Sequence, residues 1–228
     1  MFRMIKTIKG AAAVVAVVAS GCHGTSNEAA AAETTAGQTS RGAVAKTSVG
    51  TNPGQAGRGT PLVVENGHAL AAFAEGCFWG SENTFRHVPG VVATAVGYTG
   101  GKTSSPTYED VSSHTTGHAE TVLVEFDPAK VTYAQLLGVF FRSHDPTTKN
   151  RQGPDIGDQY RSAIFTFSPE QDTAARAAVG EAQAKAKKPI VTQISPIGRF
   201  WIAEDYHQQY DEKTGRESCP LPSVLYGK

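Results

Sequence analysis

Apolar and polar positions change rhythm several times along the chain, and each change predicts an element. Ala69 to Ala74 is a short apolar run that predicts a buried strand. Gly76-Cys77-Phe78-Trp79-Gly80 follows, and a helix is predicted from about Ser81 to His87. Val91 to Tyr98 is rich in β-branched residues and runs into Gly100-Gly101, a strand followed by a turn. Ala119 to Phe126 alternates in the manner of a strand. Thr132 and Gln135 have capping-box spacing, and the helix they open carries Leu136, Leu137, Phe140 and Phe141. A polar stretch from Asp145 to Gln159 reads as a long loop, and Tyr160 to Phe167 as a strand. Ser168-Pro169-Glu170-Gln171 supplies an N-cap, a proline at the first helical position and a capping partner for an alanine-rich helix reaching about Lys187. Strands near Ile190–Ile194 and Phe200–Ala203 and a short helix from Glu204 are the last elements. Beyond Gly215 the chain has Pro220 and Pro222 and no periodicity, so an extended tail is expected. Strands and helices mixed in this order predict a two-layer α+β domain.

The front of the chain has a different pattern. Arg3, Lys6 and Lys9 precede the Ala/Val run from Ala11 to Ala19, which is too short to span a bilayer. The run ends in Ala19-Ser20-Gly21-Cys22, which resembles a bacterial lipoprotein signal with Cys22 as the lipid-bearing residue. The position usually held by leucine is Ala19, and an ordinary secretory signal cut nearby is the alternative. From His23 to about Pro61 the residues are mainly Ala, Gly, Ser and Thr, unable to bury enough surface to offset chain entropy. The expected organisation is a signal peptide over 1–21, a flexible tether over 22–61 and a folded domain over 62–228. An exported protein of the cell envelope follows, anchored to a bacterial membrane through lipid and facing the periplasm or the exterior.

Charge adds an exclusion. Lys+Arg and Asp+Glu are both 21, so nothing points to nucleic acid or acidic lipid as a partner. Nothing signals an oligomer, and a monomer is expected. The 7 histidines show no close metal-ligand spacing and there is no CxxC pair, so no metal is expected.

The 3 cysteines, at 22, 77 and 219, are an odd number, which hints at a separate role for one of them. Cys77 sits between a strand and a helix, where backbone N–H groups and the helix dipole favour a thiolate. The competing reading is a buried, inert cysteine. Phe78 and Trp79, flanked by Gly76 and Gly80, either wall an apolar pocket beside the sulfur or only pack the core. Glu120 shares a strand face with Val122, Val124 and Phe126. On a core face it is desolvated and able to donate a proton near neutral pH; at a frayed strand end it is solvated. Tyr108, Tyr160 and Asp155 are further polar candidates that loops or core packing also explain. Two other readings of the whole chain stand beside an enzyme of this kind. One is an envelope lipoprotein with a structural Cys77–Cys219 disulfide. The other is a Cys-His hydrolase with His118 or His207 as base.

An ordered set of motifs resembles the methionine sulfoxide reductase A family: Gly-Cys-Phe-Trp-Gly at 76–80, Gly-Tyr-Thr-Gly-Gly at 97–101, Pro-Thr-Tyr at 106–108, Gly-His-Ala-Glu at 117–120, His-Asp-Pro at 144–146, Gln-Tyr-Arg-Ser-Ala-Ile at 159–164 and Ala-Glu-Asp-Tyr-His-Gln-Gln-Tyr at 203–210. The resemblance spans about residues 68 to 220. It implies a two-layer, ferredoxin-like α/β plait and reduction of the S epimer of methionine sulfoxide. By the same resemblance Cys77 is the nucleophile, Glu120 the acid that protonates the sulfoxide oxygen, and Tyr108 and Tyr160 the hydroxyls that bind that oxygen. Asp155 is a polar partner, and Phe78 and Trp79 wall the methyl group. Attack leaves a sulfenic acid that a second thiol converts to a disulfide. Cys219 lies where the family often has this resolving cysteine, although Glu217-Ser218 replaces the usual Gly-Tyr beside it and no further cysteine follows. No cofactor is bound; a thioredoxin-like protein, or dithiothreitol in vitro, is the external reductant.

Overall fold

The computed structural model describes residue 59, residues 62–64 and residues 67–216. The expected signal peptide, most of the expected tether, Cys22, Cys219 and the expected tail from residue 217 on fall outside the described residues.

The predicted α+β mixture is present, built on one sheet. Strands β1 (Ala69–Glu75), β2 (Val91–Thr99), β3 (Ala119–Phe126), β6 (Ser162–Thr166), β7 (Gln193–Pro196) and β8 (Trp201–Ile202) lie in the order β7-β6-β1-β3-β2-β8. All pairings are antiparallel except β6 with β7. Helix α4 (Pro169–Lys185) makes the crossover that a parallel pair requires. A hairpin of β4 (Arg151–Gln152) and β5 (Asp155–Ile156) stands apart.

Alternation along β1 and β3 divides the core. Ala71 and Phe73 share a face with Val122, Val124 and Phe126, covered by α1 (Phe78–Arg86), α3 (Tyr133–Ser143) and α4 through Phe85, Leu136, Leu137, Phe140 and Ala175. Phe73 stacks on Phe85 with centroids 4.8 Å apart. Burying each such ring contributes about 1.5–3 kcal/mol. Leu70, Ala72, Ala74 and Leu123 face the other way, under Phe200 and the partly buried Leu62, Val64, Ile197 and Ile202. Every residue of β3 is buried, as its central place requires. Gly59, inside the expected tether, is also buried and donates its N–H to Phe200 O at 3.1 Å.

Several boundaries differ from the sequence pattern. Helix α1 begins at Phe78, not Ser81, because Gly76 (φ 106°) turns the chain so sharply that Cys77 is already the N-cap. The expected loop over 145–159 holds the hairpin and then a 3₁₀ turn, Asp158–Tyr160, so β6 starts at Ser162 rather than Tyr160. Its polar residues bond one another: Gln152 accepts Asp145 N–H and donates to Asp145 O, each at 3.1 Å. Strand β7 starts at Gln193, not Ile190, since Val191 N–H is spent on Pro146 O. A capping box of Thr107 and Asp110 opens an unanticipated short helix, α2 (Tyr108–Ser112). Turns occupy the stretch after Glu204, and α5 spans only Tyr210–Thr214. Gln208 explains this: its side chain accepts Val96 N–H and donates to Val96 O, both at 2.8 Å, which fixes the chain against β2.

Candidate active site

The turn between β1 and α1 delivers Cys77 to the end of the sheet. A Cβ on Gly76 would lie 2.6 Å from Gln152 Cβ, so the β4–β5 hairpin closes directly over this turn. On neighbouring β3, Glu120 is 2 % exposed, and its Oε2 accepts the Phe78 N–H at 3.1 Å. The first orphan amide of α1 is therefore satisfied by a carboxyl group from the next strand. The solvated, frayed-end reading of Glu120 is excluded by this burial.

Burial raises the Glu120 carboxyl to about 8, with the Asp155 charge adding and the Phe78 N–H opposing. Glu120 is thus a neutral acid at pH 7. Cys77 is half-buried and free. Burial pushes its thiol up to about 12, and negative charge on Glu120 and Asp155 raises it further, against the N–H groups of Trp79 and Gly80. The thiolate expected from the strand–helix junction is corrected accordingly. The backbone donors are present, but desolvation outweighs them, and the resting sulfur is a thiol.

A pocket of about 590 Å³ opens here, and its lining includes Cys77, Phe78, Trp79, Tyr108, Glu120, Asp155 and Tyr160. They converge from several elements: Phe78 and Trp79 from α1, Glu120 from β3, Tyr108 from the start of α2, Asp155 from the hairpin and Tyr160 from the 3₁₀ turn. Burial and the neighbouring Glu120 hold the Tyr160 hydroxyl above its ordinary range, so it keeps its proton at neutral pH. Phe78 is fully buried against Tyr98 and His207, with centroids 5.8 and 5.0 Å away. Trp79 stacks on Tyr210 at 3.8 Å, with the Arg216 guanidinium 5.8 Å from its ring. Both aromatics pack the core and line the pocket.

Glu75 is a pocket residue that the sequence pattern missed. It ends β1 on the face of Phe73, accepts Ser143 Oγ–H at 2.7 Å, and burial raises it to about 8. Extending the strand by one residue past Ala74 would have put this carboxyl group on the core face. Asp211, from α5, and Arg216, just beyond it, also line the pocket. Neither His118 nor His207 does. His118 accepts Gly101 N–H through Nδ1 and bonds Thr103 O through Nε2, and His207 lies behind Trp79. A Cys-His hydrolase therefore lacks its base at the sulfur. Among the described residues no group of three or more His, Cys, Asp or Glu is placed to hold a metal.

A thiol and an uncharged carboxylic acid sharing one aromatic-walled pocket define a thiol-based enzyme. The family model for peptide methionine sulfoxide reductase matches residues 69–224, and the chain belongs to that family. It is 56% identical over 151 residues to the peptide methionine sulfoxide reductase MsrA of Methanoculleus marisnigri, covering 65% of this chain and 92% of that protein. Identity to the enzyme of the same name from Geobacter sulfurreducens is 58% over 151 residues, covering 65% and 93%. Among solved structures, methionine sulfoxide reductase A of Corynebacterium diphtheriae matches with a TM-score of 0.66 at 33% identity, covering 79% of this chain and 96% of that one. Mxr1 from Saccharomyces cerevisiae in reduced form matches with 0.64 at 36%, covering 70% and 91%.

Proposed function

We propose that this chain reduces the S epimer of methionine sulfoxide, free or in proteins, to methionine, with Cys77 as nucleophile and Glu120 as acid. The observation that carries the reading is the shared pocket of the Cys77 thiol and the neutral, buried Glu120. Sulfoxide oxygen leaves only once protonated. Glu120 hands its proton to that oxygen, held by the Tyr108 and Tyr160 hydroxyls with Asp155 beside them, while Phe78 and Trp79 enclose the methyl group. The thiol proton of Cys77 passes to the Glu120 carboxylate as sulfur attacks sulfur. The protonated oxygen then passes from the substrate sulfur to Cys77: the new S–S bond and the substrate S–O bond both break, one electron pair forms the Cys77 S–O bond of a sulfenic acid, and the other stays on sulfur as methionine leaves. The thiol is oxidised by two electrons and the sulfoxide reduced by two, and the acid is restored.

Cys219 then attacks the sulfenic sulfur, releasing water and forming a disulfide that a thioredoxin-like protein or dithiothreitol reopens. Arg216, three positions earlier, lines the pocket, and three residues span at most about 10 Å when extended. The antiparallel order β6-β1-β3-β2, with α1 and α3 on one face, supports a ferredoxin-like plait as the core. The basic start and the small residues before Cys22 support export, lipid attachment and an envelope location for a monomeric enzyme. Mass spectrometry of the mature chain should find an acylated Cys22; an unmodified start elsewhere refutes the anchor.

Separated sulfoxide epimers assayed with dithiothreitol test the reaction. Turnover of the S epimer alone is expected, and none from Cys77→Ser; equal turnover of both epimers, or an active Cys77→Ser, refutes the reading.

A further inference from the structure

Behind the aromatic wall of the pocket lies an imidazole that the mechanism does not use. His207 is 1 % exposed, and its ring packs against three residues that line the pocket: Tyr108 at 4.8 Å between centroids, Phe78 at 5.0 Å and Trp79 at 5.7 Å. Its Nδ1 lies 3.0 Å from Trp79 Nε1. An indole N–H can only donate, so Nδ1 must accept, and the imidazole is neutral with its proton on Nε2. That Nε2 is buried without a hydrogen-bond partner among the described residues, and the nearest carboxylate oxygen, Glu204 Oε2, is 3.8 Å away.

Glu204 holds the other side of the same wall. Its Oε1 accepts the Tyr108 N–H at 2.8 Å, at the first residue of α2, and its Oε2 accepts the Tyr98 hydroxyl at 3.1 Å. The His207 N–H donates to the Glu204 carbonyl at 2.9 Å, so the two residues form one turn after β8. One carboxylate therefore faces the proton that fixes the imidazole tautomer and anchors the amide that starts Tyr108. Nothing in the proposed chemistry needs either residue, yet together they touch both sides of the substrate cavity.

We propose that His207, with Glu204 behind it, is the positioning residue of the substrate pocket: it fixes the orientation of the Trp79 indole and the Tyr108 ring against the methyl sulfoxide. The proposal rests on the reduction of methyl sulfoxides argued above. Its signature is substrate binding rather than chemistry, because the wall meets the methyl group in ground state and transition state alike.

Two readouts on the full chain test it. In ¹⁵N-indole NMR spectra, His207→Phe should move the Trp79 indole N–H signal upfield, since phenyl fills the space but accepts no hydrogen bond. The same variant should raise KM for a methyl sulfoxide by about tenfold with kcat within about threefold, the scale expected for loss of a buried hydrogen bond. His207→Gln retains a carbonyl acceptor and should recover most of both effects. Glu204→Gln can still accept the Tyr108 N–H but offers no charge to the imidazole, and should show a smaller rise in KM. Parental KM and an unmoved indole signal in His207→Phe overturn the proposal, as does a His207→Gln enzyme as impaired as the phenylalanine variant. If His207→Phe does not fold, the glutamine pair decides: parental KM and indole signals in Glu204→Gln together with a displaced signal in His207→Gln count against it. If the parent reduces no sulfoxide, the reduction reading fails on its own, and the indole signals still decide whether His207 holds Trp79.

Discussion

At the scale of single residues, the site is governed by desolvation. Glu120 is kept neutral up to about 8 by burial, and the Cys77 thiol is held as high as about 12. Each alone is poorly suited to its task in water, but facing one pocket they can exchange protons through the substrate. In the proposed mechanism turnover uses the protonated carboxyl, so kcat should fall as pH rises through about 8. Glu120→Gln keeps the shape and removes the proton. It should cost ~10²–10⁴-fold in kcat and abolish that alkaline limb, measured as a pH–rate profile under single-turnover conditions. A loss of only a few-fold would assign the proton to another group. The shared pocket of Cys77 and Glu120 was legible through the ordered motifs, whereas local pattern alone left an inert cysteine and a solvated carboxyl as open alternatives. The protonation state of the thiol was not legible, since it depends on how deeply other elements bury it.

At the scale of elements, the long periodic segments were readable and the irregular ones were not. Strand β3 and the capping box of α3 match the sequence pattern because their signals are local. The hairpin over Arg151–Ile156 was hidden because a polar side chain, Gln152, is buried in it and satisfied by the backbone N–H and C=O of Asp145. That hairpin carries Asp155 and, through Gln152, presses on the turn before Cys77. Gly76 answers two demands there: a positive φ of 106° and a space in which no Cβ fits. Gly76→Ala should therefore cost more than about 1 kcal/mol in urea unfolding, beyond the ordinary helical preference for alanine, and lower activity by displacing Cys77. A variant as stable and as active as the parent would show that the turn tolerates both changes.

At the scale of the whole molecule, buried ionisable groups give stability a two-sided dependence on pH. Glu75 and Glu120, raised to about 8, are protonated when folded but ionise when unfolded, so stability declines as pH rises from the ordinary carboxyl range to about 8. His144, held down to about 4, acts at the other end: its contribution is lost as pH falls from the ordinary imidazole range through about 4. Glu75→Gln removes one of the two carboxyls, and its Tm should drop less than that of the parent between the acid and alkaline sides of neutrality. An identical pH profile by scanning calorimetry would show that Glu75 ionises freely in the folded protein.

Strand β2 runs for nine residues, yet the partner on its outer side, β8, has only two. The carboxamide of Gln208 takes up the N–H and C=O of Val96 as a peptide group would. A long bare border of that kind is a template on which other chains nucleate aggregates. Here one side chain occupies the next rung and denies it to neighbouring molecules, a protection that suits a protein meant to work where oxidation is already damaging the proteins around it.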